Sequence, residues 1–366
     1  MADPSLLRSA TRVGLLTNDA ARPARDVETP SRLALLRAGV PLVRLFSPEH
    51  GIAAAAADGA VTRDTTDPVT GLPVTSLYGD HFAPPASVLR DLDAVLVDLP
   101  DIGARFYTYQ WTMTHVIDAC AGGPTVVVLD RPNPLGGALD SAEGPLLDPA
   151  FTSLLGRLDV PVRHALTLGE LARLWRHERA AGTTVEVVAC EGWSRAMQWP
   201  DTGLPFVRRS PDMPSFASAL LYPGTCLFEA TTVSVGRGTE APFRTLDAPW
   251  LDAARLADAL HDEPRTAGIA LVPDGHRLSI AITDRHRVRP VALGVALLAA
   301  VAAHHRDAFA WATYPTAANP TGAHHLERLF GQAGLRDAID RGTRIGDDVL
   351  ATGTWAARVT PHLAYT

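Results

Sequence analysis

The stretch LFSPEHGIAAAAADG, Leu45 to Gly59, places Glu49 and His50 between a proline and a glycine directly after an apolar run. A carboxylic acid at such a turn can give or take a proton, and an imidazole beside it can do so near neutral pH. Pro48 fixes its own φ and Gly51 permits a tight turn, so Glu49 is expected to project from a strand tip. Comparable polar clusters end other apolar runs: Asn18-Asp19, Asp98 with Asp101, and Asp130-Arg131-Pro132-Asn133. Each also has a plain structural use. Glu49 could cap a helix, Asp98 and Asp101 could cap a helix starting near Tyr107, and Asp130 could brace the turn made by Pro132 and Pro134.

The elements that must position these residues alternate in type. Apolar runs at 13–18, 43–48, 94–101 and 125–132 alternate with helical patterns such as SRLALLRAGV at 31–40. That βαβ rhythm predicts an α/β fold with a parallel sheet covered by helices on both faces. Ligands bind beyond the carboxyl ends of such strands, so clusters far apart in sequence can converge on one cleft. Thr29-Pro30 supplies a cap and first-turn proline for one helix, and Thr167 with Glu170 has capping-box spacing for another. Residues 192–237 are rich in proline, tryptophan and glycine and read as an ordered connector. A helical stretch at 248–263, a strand at 279–284 and an alanine-rich helix at 291–303 then predict a smaller α/β domain. Trp193, Trp199 and Phe206 could stack on a sugar, core packing being the ordinary use of an aromatic. Arg237 stands between two glycines, where a ligand can approach closely and a guanidinium can fork onto a carboxylate.

Composition removes several classes. The chain has 366 residues, 46% of them hydrophobic, which exceeds one typical domain. Its formal charge of −7 and pI near 6.0, with no block of like charge, give no footprint for nucleic acid or an anionic membrane. Cys120, Cys190 and Cys226 form no C-x-x-C pair, and no apolar stretch has transmembrane length. The N-terminus lacks a cationic region followed by an apolar one, so a cytoplasmic location is expected. Neither G-x-G-x-x-G after the first strand nor G-x-x-x-x-G-K-[ST] occurs, so no cofactor is implied and a nucleotide-dependent oxidoreductase is disfavoured. G-x-S-x-G is missing too. The adjacent pairs His304-His305 and His324-His325 lack the spacing for two ligands on one helix face, and they read as surface residues with no metal site.

The series GLLTN, LFSPEHGI, TGLPVTSLYG, DLPDIGARFYTY, VVVLDRPNPLGG, EGPLLD, TGLPFVRRSPDMP, LLYPGTCLFEATTVSVGRGTEAPF and TDRHRVRP resembles the bacterial peptidoglycan exo-β-N-acetylmuramidase family, in order and over nearly the whole chain. That resemblance implies a Rossmann-like catalytic domain, here 1–212, and a smaller C-terminal α/β domain, here 213–366, completing the cleft. It implies a glycosidase that releases terminal N-acetylmuramic acid from the non-reducing end of peptidoglycan fragments, with muramyl saccharides as its ligands. Within the family motif the catalytic acid falls on Glu49. Hydrolysis of a glycosidic bond normally takes two carboxyl groups, and Asp101 and Glu143 are the expected alternatives for the second, the substrate's 2-acetamido oxygen being another. Asn18, His50, Arg105, Tyr107, Asn133 and Arg237 are the expected substrate-binding residues, with Arg105 or Arg237 on the lactyl carboxylate. One departure stands beside Glu49, where AAAAADGAV replaces the charged, glycine-containing segment of relatives. A sugar-binding protein that keeps the cleft without turnover is the competing reading.

Overall fold

The computed structural model describes residues 10–366, and residues 1–9 of the stretch read above for an export leader, and of the first domain, lie outside them. Seven strands build the main sheet: β1 (Val13–Thr17), β2 (Leu42–Ser47), β3 (Thr65–Thr66), β4 (Pro73–Ser76), β5 (Ala94–Asp98), β6 (Thr125–Leu129) and β7 (Val185–Val188). Their order is β3-β4-β2-β1-β5-β6-β7, and only the β3–β4 pair is antiparallel. β1 lies at the centre with all five residues buried. Alternate side chains serve opposite faces: Val13, Leu15, Leu45 and Leu96 pack in one core, Leu16, Val95 and Val97 in the other. Both faces being apolar explains the unbroken hydrophobic runs. The chain winds from β1 out to β4, then returns to β5 and winds outward to β7. The topological switch therefore lies between β1 and β5, where such sheets bind ligands.

Helix Leu168–Glu178 has the expected capping box, Thr167 accepting from Glu170 N and Glu170 returning to Thr167 N. Helix Ser31–Arg37 differs, because Pro30 itself takes the cap position and no side chain caps it. Asp98 and Asp101 cap nothing: Asp98 pairs with Arg131, and Asp101 accepts from Gly103 N at 2.8 Å. Asp130 accepts from Gly169 N and Thr167 Oγ1, so it anchors a helix start rather than the proline turn.

The C-terminal part carries β8 (Thr245–Asp247), β9 (Ile269–Asp274) and β10 (Arg277–Ile282), an antiparallel sheet in the order β8-β10-β9. Helices Phe216–Thr225 and Pro290–His304 join it to the large sheet through one continuous core that includes Val97, Trp111, Leu293 and Phe330. No helix among the described residues is long and apolar enough to cross a membrane. These two helices cross at Gly224 and Gly294, where a Cβ on Gly224 would stand 1.8 Å from Pro290 O. Backbone cannot yield as a side-chain tip can. Gly224→Ala is expected to force the helices apart and cost ~3 kcal/mol or more, read as a lower midpoint in urea with an unchanged slope; an unaltered midpoint would contradict this contact.

Candidate active site

The turn after β2 aims Glu49 at the junction of the two halves. His50 and Gly51 both take left-handed backbone, with φ of 67° and 71°, a strained choice for histidine that tertiary contacts must hold. Ala55 and Ala56 N–H groups return to His50 O, so the alanine run is a compact loop folded against its own start. That fold brings Asp58-Gly59 over Glu49. Gly59 N donates to Glu49 Oε1 at 2.9 Å and Thr108 Oγ1 donates to Oε2 at 2.6 Å. His50 Nδ1 lies 2.8 Å from Ala56 O; a carbonyl only accepts, so Nδ1 is a donor.

The opposite wall comes from the C-terminal half. Arg237 Nε donates to Glu229 Oε1 at 2.6 Å and Nη1 to Asp212 Oδ2 at 3.0 Å, while Nη2 lies 3.3 Å from Asp58 Oδ1. Tyr314 O–H donates to Asp58 Oδ2 at 2.9 Å, and its ring stacks on His325 at 4.7 Å. His325 Nε2 is 3.6 Å from Glu229. Desolvation pushes Asp58 up to about 6, with Glu49 and Glu229 adding to it and Arg237 opposing. Burial also disfavours the charge on Glu229, but Arg237 and His325 outweigh it and hold that carboxyl below the usual range. Tyr78 and Tyr107 also line the cleft, whose interior volume is about 40 Å³. That volume is too small for a sugar ring, so side chains must move for one to enter.

Glu49, His50 and Asp58 each bring one ligating atom within 4.8 Å of the others. Both Glu49 oxygens receive protein donors, and Arg237 brings positive charge to Asp58.

The expected site residues separate into two sets. Glu49, His50, Tyr107 and Arg237 line the cleft. Asn18 stands behind it, donating to Tyr109 Oη at 2.9 Å and accepting from Ala20 N at 3.1 Å. The others do structural work away from the lining. Arg105 is fully buried, donating Nη1 to Pro145 O and Val160 O and Nη2 to Leu329 O, so it staples the two halves and burial pushes it down to about 9. Asn133 holds its turn through Leu166 O and Leu135 N. Glu143 is buried at the start of helix Pro290–His304, accepting from Val291 N and Ala292 N, where a carboxylate suits the helix dipole. Trp199 packs on Phe206 and under Arg209, a core use.

Asp101 lies outside the cleft lining and is only 7% exposed, with Oδ1 unpartnered and His164 Nε2 at 3.9 Å. Desolvation pushes it up to about 7. A folded-state value above the unfolded one means the native state holds the proton more tightly, so stability falls as pH rises from about 4 to about 7. Asp101→Asn, which keeps the acceptor for Gly103 N, is expected to raise Tm at pH 8, flatten that slope and leave turnover largely intact. Loss of turnover with an unchanged Tm–pH curve would restore Asp101 to the chemistry.

Asp58, Asp212, Glu229 and Tyr314 were not singled out by sequence. Asp212 and Glu229 sit inside quoted motifs, SPDMP and LFEATT, whose acidic residues were the available signal. His325, read as a surface residue, is 5% exposed and lines the cleft, because its helix turns inward behind the Tyr314 loop.

Residues 13–217 match the family described as exo-β-N-acetylmuramidase NamZ, N-terminal, and residues 220–352 its C-terminal counterpart. The chain belongs to the NamZ exo-β-N-acetylmuramidase family. It is 33% identical over 349 residues to the peptidoglycan β-N-acetylmuramidase NamZ of Bacillus subtilis, covering 91% of this chain and 81% of that one. Crystal structures of two family proteins of Bacteroides fragilis, described under the label DUF1343, superpose with TM-scores of 0.85 and 0.73 at 28% and 26% identity, each over 99% of this chain and 96% of its own. The NamZ assignment thus spans both halves, and the cleft lies where its two parts meet.

Proposed function

We propose that the protein is an exo-acting glycoside hydrolase that releases terminal β-linked N-acetylmuramic acid from the non-reducing end of peptidoglycan fragments, and that it works in the cytoplasm. The observation that carries this reading is Glu49 of the Ser-Pro-Glu-His-Gly turn, held at the mouth of the sheet among further carboxyl groups in a chain of the NamZ family. Such a cluster supplies what glycosidic hydrolysis requires: a proton for the departing oxygen and negative charge beside an oxocarbenium-like centre. Glu49 is the motif carboxyl at that centre, His50 and Tyr107 shape the surface that meets the sugar, and Asn18 supports it from behind through Tyr109. The narrow interior fits closure around one terminal residue, with Tyr314 moving to admit it.

The discriminating experiment offers the protein a nitrophenyl N-acetyl-β-muramide, the matching glucosaminide and a MurNAc-GlcNAc disaccharide. Release of N-acetylmuramic acid from the disaccharide, with the muramide strongly preferred, is expected. Saturable binding of the muramide without turnover would instead establish the non-catalytic sugar-binding reading.

A further inference from the structure

We propose that Asp58 is the second carboxyl group of the hydrolytic site, working with Glu49 on a single glycosidic bond as its proton donor. The inference rests on the glycosidase reading above and deepens it. One oxygen of Asp58 and one of Glu49 lie within 4.8 Å of one another, and His50 completes the triad. Asp101 and Glu143, the alternatives in sequence, are occupied elsewhere by Gly103 N and by a helix start.

The two carboxyl groups have different surroundings. Glu49 receives the Gly59 N–H and Thr108 O–H and is 6% exposed, the setting of a fixed acceptor. The Asp58 side chain keeps 26% of its surface exposed and shares its oxygens with Arg237 at 3.3 Å and a tyrosine hydroxyl, so a departing sugar oxygen can reach it. From its own loop it faces Glu49 and His50; from the C-terminal half it faces Glu229, Arg237, Tyr314 and Tyr222; Tyr78 stands beside Glu49. That balance places its titration near 6, which suits a group that must donate near neutral pH.

In the reaction Asp58 gives its proton to the glycosidic oxygen as the C1–O bond breaks, and the bonding pair leaves with that oxygen. Glu49 Oε closes on C1 from the other side. Water then attacks C1, displacing Glu49, and returns a proton to Asp58, leaving the reducing sugar and the starting enzyme. A separation this short matches retaining enzymes and leaves no room for the water that inversion places between the groups. The assignment moves the acid role from Glu49 to its neighbour in the loop that departs from the family pattern.

The test separates leaving groups. Asp58→Asn is expected to lower kcat/KM on MurNAc-GlcNAc by ~10²-fold or more, and on a 2,4-dinitrophenyl muramide, which needs no proton, by less than ~10-fold. Azide should accelerate the variant on the activated substrate. The alkaline limb expected for wild type near pH 6 on the disaccharide should move upward in Tyr314→Phe, which removes a donor to the Asp58 anion, and this readout stands even where Asp58→Asn fails to fold. Equal losses on both substrates, an unmoved limb in Tyr314→Phe, or an inverted first product by NMR would overturn the proposal while wild-type muramide release still upheld the glycosidase reading. Wild type inert toward every muramide would overturn both.

Discussion

Glu49→Gln is expected to lower kcat by ~10²-fold or more on the disaccharide and on the activated muramide alike, with Tm within a few degrees of wild type. The amide is nearly isosteric with the carboxylate. Its oxygen can still accept from Gly59 N, and its NH₂ can donate to Thr108 Oγ1, since a hydroxyl rotates to accept as readily as it donates. On the assignment proposed above, what disappears is the carboxylate oxygen that closes on C1, which acts only once the oxocarbenium-like centre develops. Loss should therefore appear in kcat and kcat/KM together, KM changing little. The leaving group does not matter to this carboxylate, which separates the variant from Asp58→Asn. Near-normal turnover with the dinitrophenyl muramide would remove Glu49 from the chemistry and leave it a structural brace for the Asp58 loop.

Glu49 was legible in sequence because a rare turn, Pro-Glu-His-Gly, coincided with the end of an unmistakable strand. The central strands were legible for the same physical reason: burial on both faces leaves only apolar residues. The edge strands, β3 with exposed residues and β7 with mostly half-buried ones, carry no such signature and went unseen. Partners were the harder problem. Arg105 and Glu143 have the residue types of a sugar site, yet their charges are spent on backbone groups up to 224 positions away, and nothing in residue type forecasts that. Asp58 failed in the opposite direction. The five alanines before it carry no chemistry of their own, yet their small side chains let the segment fold back on His50 and deliver the aspartate to Glu49. Tyr314 reaches the same point from 256 positions later, a closure that only the folded chain can specify.

Arg237→Met should be among the most damaging single changes outside Glu49, and the pattern of damage decides what the arginine is for. Its flanking glycines suggested a guanidinium held open for the lactyl carboxylate. In the folded protein Nε, Nη1 and Nη2 already meet Glu229, Asp212 and Asp58, and the guanidinium lies 4.9 Å over Phe243. Removing it leaves three carboxyl groups facing one another without a cation, at a cost of ~3–5 kcal/mol. The folded fraction that survives should show the alkaline limb of its pH profile displaced upward, because Arg237 is the main charge opposing protonation of Asp58. Turnover should fall by the same factor on muramide and glucosaminide, since a residue committed to the protein's own carboxylates does not read the lactyl group. Circular dichroism melts and paired rates check both parts. Selective loss of the muramide with stability unchanged would mean that Arg237 releases Asp58 to take the substrate's carboxylate, and the cleft would then recognise its ligand by exchanging one ion pair for another.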